Sequence, residues 1–145
     1  MGDRAKVLVA LDDSDAAMTA LDWGCKYAHM AGADVEAVHV WGYPHPGPRT
    51  GVSEPYEAMQ LEAIEMLRDQ ISRYTSDHQP HVGIHGRVVE GSVVDALVDE
   101  SHHATLVVVG RRGRHTLPAA LGSVSRGVAE RAVCPVVVVH PHDKT

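Results

Sequence analysis

Short valine-rich runs alternate with longer stretches of helical periodicity along the whole of this 145-residue chain. Runs of β-branched residues without intervening polar residues are typical of strands buried on both faces. When strands and helices alternate, each crossover lays the next strand parallel to the last and its helix on a face of the sheet. The pattern therefore predicts an α/β fold with three α/β/α layers around a five-stranded parallel sheet. Strands are predicted over Ala5–Leu11, Asp34–Trp41, His81–Val89, Thr105–Val109 and Pro135–His140, and helices over Asp15–Ala31, Glu54–Ser76, Ser92–His103 and about Ser123–Ala132.

The composition agrees with this fold class and narrows the partners and the location. There is no phenylalanine, so aliphatic residues must build the core, which favours flat layers of sheet and helix. A formal net charge of −6 argues against nucleic acid as the main partner. The N-terminal sequence contains no signal peptide or membrane-spanning run, and Cys25 and Cys134 form no Cys-x-x-Cys motif. We therefore expect a single cytoplasmic domain over residues 1–145, with two buried thiols and no membrane partner.

The predicted topology indicates where a ligand would bind. In open α/β sheets, ligands bind beyond the carboxyl ends of the strands, at the point where the strand order reverses. In the commonest five-stranded winding, this point lies between the first and the fourth strand. The segments that leave those two strands are Leu11–Ser14 and Gly110–Gly113, and Ala10 precedes the first of them. These two segments are the predicted site.

The second segment carries the features of an anion site. Glycines three residues apart let the backbone approach a phosphate, and Gly122-Ser123 opens a helix whose first N–H groups favour an anion. Serine hydroxyls and arginines add donors and positive potential. The residues concerned are Gly110, Arg111, Arg112, Gly113, Arg114, Gly122, Ser123 and Ser125. A glycine loop between strand and helix is equally compatible with a purely structural role. The chain has no Gly-Lys-Ser/Thr of a P-loop and no Gly-x-Gly-x-x-Gly after its first strand.

Several spaced motifs resemble the universal stress protein family. They are Gly110-Arg-Arg-Gly113, Gly122-Ser123-Val124-Ser125 and the Cys134-Pro135-Val136 that begins the last strand. At the front, Val7–Leu11 with Asp12-Asp13-Ser14 is similar to the family's first strand and its Asp-Gly-Ser ending, and Val88-Val89-Glu90-Gly91 is similar to its third-strand ending. The resemblance extends over almost the whole chain.

The resemblance to the ATP-binding branch of that family implies the rest of the expected site. It implies a Rossmann-like sheet of strand order 3-2-1-4-5, and ATP with Mg²⁺ or Mn²⁺ held by its phosphates. It also implies a homodimer through the last strand, at Val136, Val137, Val138 and Val139. Together with the segments above, the expected nucleotide-binding residues are Ala10, Leu11, Asp12, Val40, Gly110, Arg111, Gly113, Arg114, Gly122, Ser123, Val124 and Ser125. Two departures are visible, since eight residues rather than nine separate Gly113 from Gly122, with Pro118 among them, and Asp13 stands where the family has glycine.

The expected function is an ATP-binding stress sensor or regulator that acts with an unidentified protein partner and has at most weak ATPase activity. Three alternatives stay open: a binding module without ATP, a binder of cyclic AMP, and a hydrolase in which Asp12 or Asp13 places a metal. Asp12 could instead cap the first helix, alone or together with Ser14. The histidines are expected on the surface, and Trp23 and Trp41 in the core or at an interface.

Overall fold

The computed structural model describes residues 5–42, 55–111 and 122–140. In these ranges, five strands and four helices alternate along the chain, as the sequence predicts. The strands are β1 (Lys6–Ala10), β2 (Asp34–Trp41), β3 (Ile84–Glu90), β4 (Leu106–Gly110) and β5 (Val136–Val139), and the helices are α1 (Asp15–Ala31), α2 (Tyr56–His78), α3 (Val93–Ser101) and α4 (Ser123–Arg131).

The strand β1 lies at the centre of one parallel sheet, with β2 on one side and β4 on the other. The full order is β3-β2-β1-β4-β5, so the predicted order 3-2-1-4-5 is confirmed. Because the chain crosses from β3 back to β4, the winding changes direction between β1 and β4. The carboxyl ends of these two strands are therefore the expected place for a ligand.

Two hydrophobic layers cover the two faces of the sheet. Successive residues of a strand point to opposite faces, so Val7 and Val9 pack with α1 and α2, whereas Leu8 packs with Leu97 of α3 and Val128 of α4. All five of these side chains are almost completely buried. Burial of each contributes roughly 1.5–3 kcal/mol, which explains why a sheet without phenylalanine still has a sufficient core.

Most element boundaries agree with the sequence pattern to within one residue, and four differ by more. The helix α2 begins at Tyr56 rather than Glu54, and α3 ends at Ser101 rather than His103. The helix α2 ends at His78 rather than Ser76, because Gln79 adopts a left-handed conformation with φ of 47° and stops it there. The chain then turns through residues 80–83, so β3 begins at Ile84 rather than His81. The last strand is shorter than predicted, and Pro135 and His140 flank it.

The cysteines and tryptophans do not all lie where the sequence suggested. Cys25 is buried in α1, but Cys134 is only half-buried because it comes just before the edge strand β5. The expectation of two buried thiols is therefore wrong for Cys134. Trp41 is buried, whereas Trp23 is 36% exposed and stacks on Tyr27 with 5.4 Å between ring centroids.

Candidate functional site

The carboxyl ends of β1, β2 and β4 surround a cavity of about 220 Å³. The first turns of α1, α3 and α4 complete its wall through Ala17, Val93 and Val124. Residues from four different parts of the chain that were predicted from the sequence meet here. They are Ala10, Leu11, Asp12, Val40, Gly110 and Val124.

The other predicted residues fall into two groups. Arg111, Gly122, Ser123 and Ser125 are described by the structure but are not part of the cavity wall. Arg112, Gly113 and Arg114 lie outside the described residues, as does Pro118, so the part of the site predicted on them stays a prediction.

Asp12 and Ser14 together stabilise the N-terminus of α1. The Oγ of Ser14 accepts a hydrogen bond from the backbone N–H of Ala17 at 3.2 Å, which makes Ser14 the N-cap. The Oδ1 of Asp12 accepts from the backbone N–H of Ser14 at 2.9 Å and from the Ser14 hydroxyl at 2.5 Å. Asp12 therefore supports the capping serine rather than capping the helix itself, and Asp12 also lines the cavity.

Two side chains distant in sequence hold the carbonyl groups of this turn. The Nδ1 of His39 on β2 lies 2.9 Å from the carbonyl oxygen of Leu11. Since a carbonyl only accepts, Nδ1 carries the hydrogen in this contact. The Nε2 of Gln70 on α2 donates to the carbonyl oxygen of Asp12. The backbone after β1 is thus fixed at two successive residues.

Neither His39 nor Gln70 was singled out from the sequence. His39 also lines the cavity. A polar ring one residue before Val40, in a strand that is otherwise mostly apolar, was the available signal for His39. Gln70 is the one amide among the buried residues of α2 (Ala63, Leu67, Gln70 and Tyr74), and the helical spacing of these four positions was the available signal for it.

The N-terminus of α4 lies beside this cavity, because Val124 of its first turn lines it. Gly122 is the N-cap and has no side chain with which to cap the first backbone N–H groups of this helix, which point towards an acceptor at this end. The Ser125 hydroxyl donates to the carbonyl oxygen of Gly122 at 3.1 Å and is buried. Ser123 is exposed, so of the two serines it is the one whose hydroxyl faces solvent at this end of the helix.

Arg111 connects the end of β4 to the end of β5. Its backbone N–H donates to the carbonyl oxygen of Val139 at 2.8 Å, and its guanidinium Nη1 lies 3.2 Å from Nδ1 of His140. The side chain is thus directed towards β5 in this structure. Its predicted contact with a phosphate stays a prediction.

The glycine at the end of β4 has a structural reason to be there. A Cβ atom at Gly110 would lie 2.6 Å from the carbonyl oxygen of Ala16 in the first turn of α1. Contacts this short do not occur, so β4 and α1 approach each other only because residue 110 has no side chain. The structural interpretation of Gly110 therefore holds whether or not a ligand binds.

A second, larger cavity of about 490 Å³ lies between α1 and α2. Its lining includes five aspartates, which would repel the phosphates of a nucleotide. They are Asp13, Asp15, Asp22, Asp69 and Asp77. Size alone would favour this groove, but its negative charge favours the smaller cavity for an anionic ligand.

Tyr74 and Asp22 both line that groove and contact each other. The Tyr74 hydroxyl donates to Oδ1 of Asp22 at 2.9 Å, and Lys26 contacts Oδ2 of Asp22 at 2.9 Å. Burial by itself would raise the pKa of Asp22, but the hydrogen bonds from Lys26 and Tyr74 outweigh it, and the pKa lies below its ordinary value. Burial raises the pKa of the nearby Cys25 thiol to about 11.

The described residues contain no cluster of three or more His, Cys, Asp or Glu side chains arranged to hold a metal ion. Among the helices in the same ranges, none is both long enough and apolar enough to traverse a lipid bilayer. A metal held by the phosphates of a nucleotide would need no such cluster, so the expectation of Mg²⁺ or Mn²⁺ stays a prediction.

Comparison with known proteins identifies the family to which this fold and site belong. The sequence profile of the Universal stress protein family matches residues 4–140. A universal stress protein of Mycolicibacterium smegmatis is 32% identical over 139 residues, covering 95% of this chain and 46% of its own length. The chain thus spans about half the length of the curated relatives that it matches.

Two solved structures agree with the fold and show nucleotides in similar proteins. A universal stress protein in complex with cAMP is 27% identical, with a TM-score of 0.72, and the match covers 97% of this chain and 100% of that one. The universal stress protein from Archaeoglobus fulgidus in complex with dAMP is 25% identical, with a TM-score of 0.67 and coverage of 96% and 99%. Motifs, strand order and profile agree, and the chain belongs to the universal stress protein family.

Proposed function

We propose that this protein binds an adenine nucleotide, ATP in the first place, in the cavity at the carboxyl ends of β1, β2 and β4. The observation that carries the proposal is the convergence of Asp12, Val40, Gly110 and Val124 on one cavity at the point where the sheet changes direction. Related structures contain cAMP and dAMP, which supports an adenine nucleotide as the class of ligand.

The size and chemistry of the cavity suit the nucleoside part of such a ligand. Pockets that enclose a whole drug-sized molecule measure roughly 300–1,000 Å³, so a cavity of about 220 Å³ fits a base and ribose better than a complete triphosphate. Most of its lining is aliphatic, and the Asp12 carboxylate supplies an acceptor for hydroxyl groups. The phosphates would extend towards the N-terminus of α4, which begins at the N-cap Gly122, with Mg²⁺ or Mn²⁺ bound to them.

We propose binding without rapid hydrolysis. A general base must lie within hydrogen-bond reach of the water that attacks the reacting phosphorus. Asp12 and His39 line the cavity proposed for the nucleoside, so neither would lie beside the terminal phosphate. The nucleotide would then act as a signal that biases the conformation or the partner, and the protein would be a stress-linked regulator in the cytoplasm rather than an enzyme.

The edge strand β5 supports a homodimer as part of this proposal. Among the described residues, β5 pairs with β4 alone, and its four valines are all half-buried. An exposed apolar strand edge is a template for another strand, and a second copy of β5 would cover it. The unidentified protein partner would then contact the dimer.

Two measurements test nucleotide binding. Purified protein is denatured to release and identify small molecules, and the ligand-free protein is titrated with ATP, ADP, AMP and cAMP by calorimetry, with and without Mg²⁺. Asp12→Asn keeps an oxygen to accept from Ser14 but removes the charge at the cavity, so we expect it to weaken binding about tenfold, equivalent to about 1.4 kcal/mol. Asp13→Asn removes an exposed carboxylate next to it and serves as the control.

The same titration, together with an assay of ATP turnover, distinguishes the alternative functions. Cyclic AMP is the second candidate ligand, favoured by the related complex that contains it, and would be identified by tighter binding than ATP. No released nucleotide and no heat with any of the four would overturn nucleotide binding and leave a module that acts through protein contacts. ATP turnover that saturates and is lost in Asp12→Asn would instead identify a hydrolase.

A further inference from the structure

The side chain of Gln70 connects the helix α2 to the turn that carries Asp12. Gln70 is 8% exposed, and its Nε2 donates to the carbonyl oxygen of Asp12, 58 residues away in sequence. The orientation of the amide is determined by this contact, since a carbonyl accepts and only the NH₂ end of the amide can donate. The amide therefore holds the backbone of a residue that lines the cavity.

This arrangement costs stability. With the NH₂ group turned to Asp12, the Oε1 of Gln70 is buried and finds no hydrogen-bond partner among the described residues. A buried acceptor without a partner has lost its water without replacement. The other buried residues of α2 are Ala63, Leu67 and Tyr74, so a leucine at position 70 would continue an apolar face and avoid that cost.

The Asp12 carbonyl is not held alone. The preceding carbonyl, of Leu11, is contacted by His39 Nδ1 at 2.9 Å, and the Leu11 N–H donates to the Val38 carbonyl at 2.8 Å. On the other side, Ser14 donates twice to Oδ1 of Asp12. With Gln70 in place, the main chain and the side chain of Asp12 both have fixed partners, as a preorganised binding group requires.

We infer that Gln70 is a positioning residue of the nucleotide site, which holds the Asp12 backbone so that the Asp12 carboxylate meets the nucleoside, at the expense of fold stability. The inference deepens the proposed function and rests on it. It also predicts that affinity and stability respond differently to the removal of Gln70, because an unpaired buried acceptor is lost together with the contact to the Asp12 carbonyl.

The test is a double-mutant cycle read by calorimetry. Gln70→Leu should lower the affinity for AMP and ATP about tenfold, which corresponds to about 1.4 kcal/mol. If Gln70 acts through Asp12, then Gln70→Leu in the Asp12→Asn background should cause little further loss, because interacting residues are not additive. The thermal midpoint of Gln70→Leu should change little, because the removal of the unpaired Oε1 offsets the loss of the bond to the Asp12 carbonyl. Gln60→Leu is the same change ten residues earlier on α2. It should leave the affinity unchanged in both the wild-type and the Asp12→Asn backgrounds.

A second measurement does not need the ligand. The backbone ¹⁵N relaxation of Asp12, Asp13 and Ser14 in the free protein should show added motion in Gln70→Leu and none in Gln60→Leu. Gln70→Met repeats both measurements should Gln70→Leu fold poorly, since its flexible side chain fills the same space without an amide.

The outcomes separate this inference from the proposed function. A wild type that binds none of the nucleotides overturns the proposed function and the inference with it. A wild type that binds, with Gln70→Leu binding equally well, overturns the inference alone. Full additivity of Gln70→Leu and Asp12→Asn also overturns it, since the glutamine would then act independently of Asp12.

Discussion

A Cβ atom built on Gly110 would lie 2.6 Å from the carbonyl oxygen of Ala16, so the end of β4 packs directly on the backbone of α1. Gly110 also lines the cavity in which we propose that the nucleotide binds. If it does, one glycine serves both packing and binding, and a substitution there changes both.

We expect Gly110→Ala to lower the free energy of unfolding by about 1–3 kcal/mol, the range for overpacking, because the backbone of Ala16 cannot move aside as a side chain could. Gly42→Ala is the control, since the nearest atom to its Cβ would be the Gly91 carbonyl oxygen at an ordinary 3.8 Å. Chemical denaturation of both variants measures the difference. Equal stability of the two would show that β4 and α1 are less tightly packed than described.

For His39 we expect the hydrogen bond to Leu11, rather than the imidazole ring, to matter. The Nδ2 of asparagine occupies about the place of Nδ1 in histidine, so His39→Asn keeps a donor to the Leu11 carbonyl and His39→Leu does not. His39→Leu should lose about 1 kcal/mol of stability and about fivefold in nucleotide affinity, with His39→Asn close to wild type. Equal loss in both variants would show that the ring itself is needed.

The lowered pKa of Asp22 predicts a pH dependence of stability. Its folded-state pKa lies below the unfolded value of about 3.9, so its contribution is complete above that value and is lost as the pH falls through the folded pKa. Asp22→Asn should therefore destabilise the protein most near neutral pH, and the difference from wild type should shrink below about pH 4. Denaturation at a series of pH values measures this, with the exposed Asp69→Asn as control. A constant difference across the series would contradict the assignment.

The two thiols should differ in reactivity towards a disulfide reagent. With a pKa of about 11, Cys25 is ionised in only about one molecule in a thousand at pH 8, and it is 3% exposed. Cys134 is half-buried at the sheet edge. The Cys134→Ser variant, which keeps only Cys25, should therefore hardly react with the reagent in its native state until guanidinium is added. The Cys25→Ser variant, which keeps only Cys134, should react in its native state. Equal rates for the two variants would mean that α1 opens readily.

If the protein dimerises through β5, a proline at the open edge of this strand should prevent the pairing. The carbonyl groups of Pro135 and Val139 accept from β4, and because backbone groups alternate in direction along a strand, those of Val136 and Val138 face the open edge. Val138→Pro removes one outward N–H and should yield a folded monomer, whereas Val138→Thr keeps the N–H and the branched shape and should remain a dimer. Sedimentation measures the mass. A wild-type monomer, or a dimeric Val138→Pro, would exclude pairing through β5.

Much of this protein follows from local pattern in the sequence. Valine-rich runs and helical spacing predict nine elements and a parallel sheet, because burial on both faces leaves no polar alternation in the strands. The same pattern, with the family motifs, predicts that Asp12, Val40, Gly110 and Val124 meet, since the carboxyl ends of neighbouring parallel strands share one edge. The ends of the elements follow less directly from the sequence. Gln79, for example, ends α2 with a left-handed backbone conformation that its residue type does not predict.

Only the tertiary structure decided how the site is held. His39 lies 28 residues from Leu11, and Gln70 lies 58 residues from Asp12, so neither contact has a spacing that a sequence reader could recognise. They form because the right-handed crossovers place β2 beside β1 and pack α1 and α2 on the same face of the sheet. The residue types of the site are thus a property of the sequence, whereas the partners that orient them are a property of the packing.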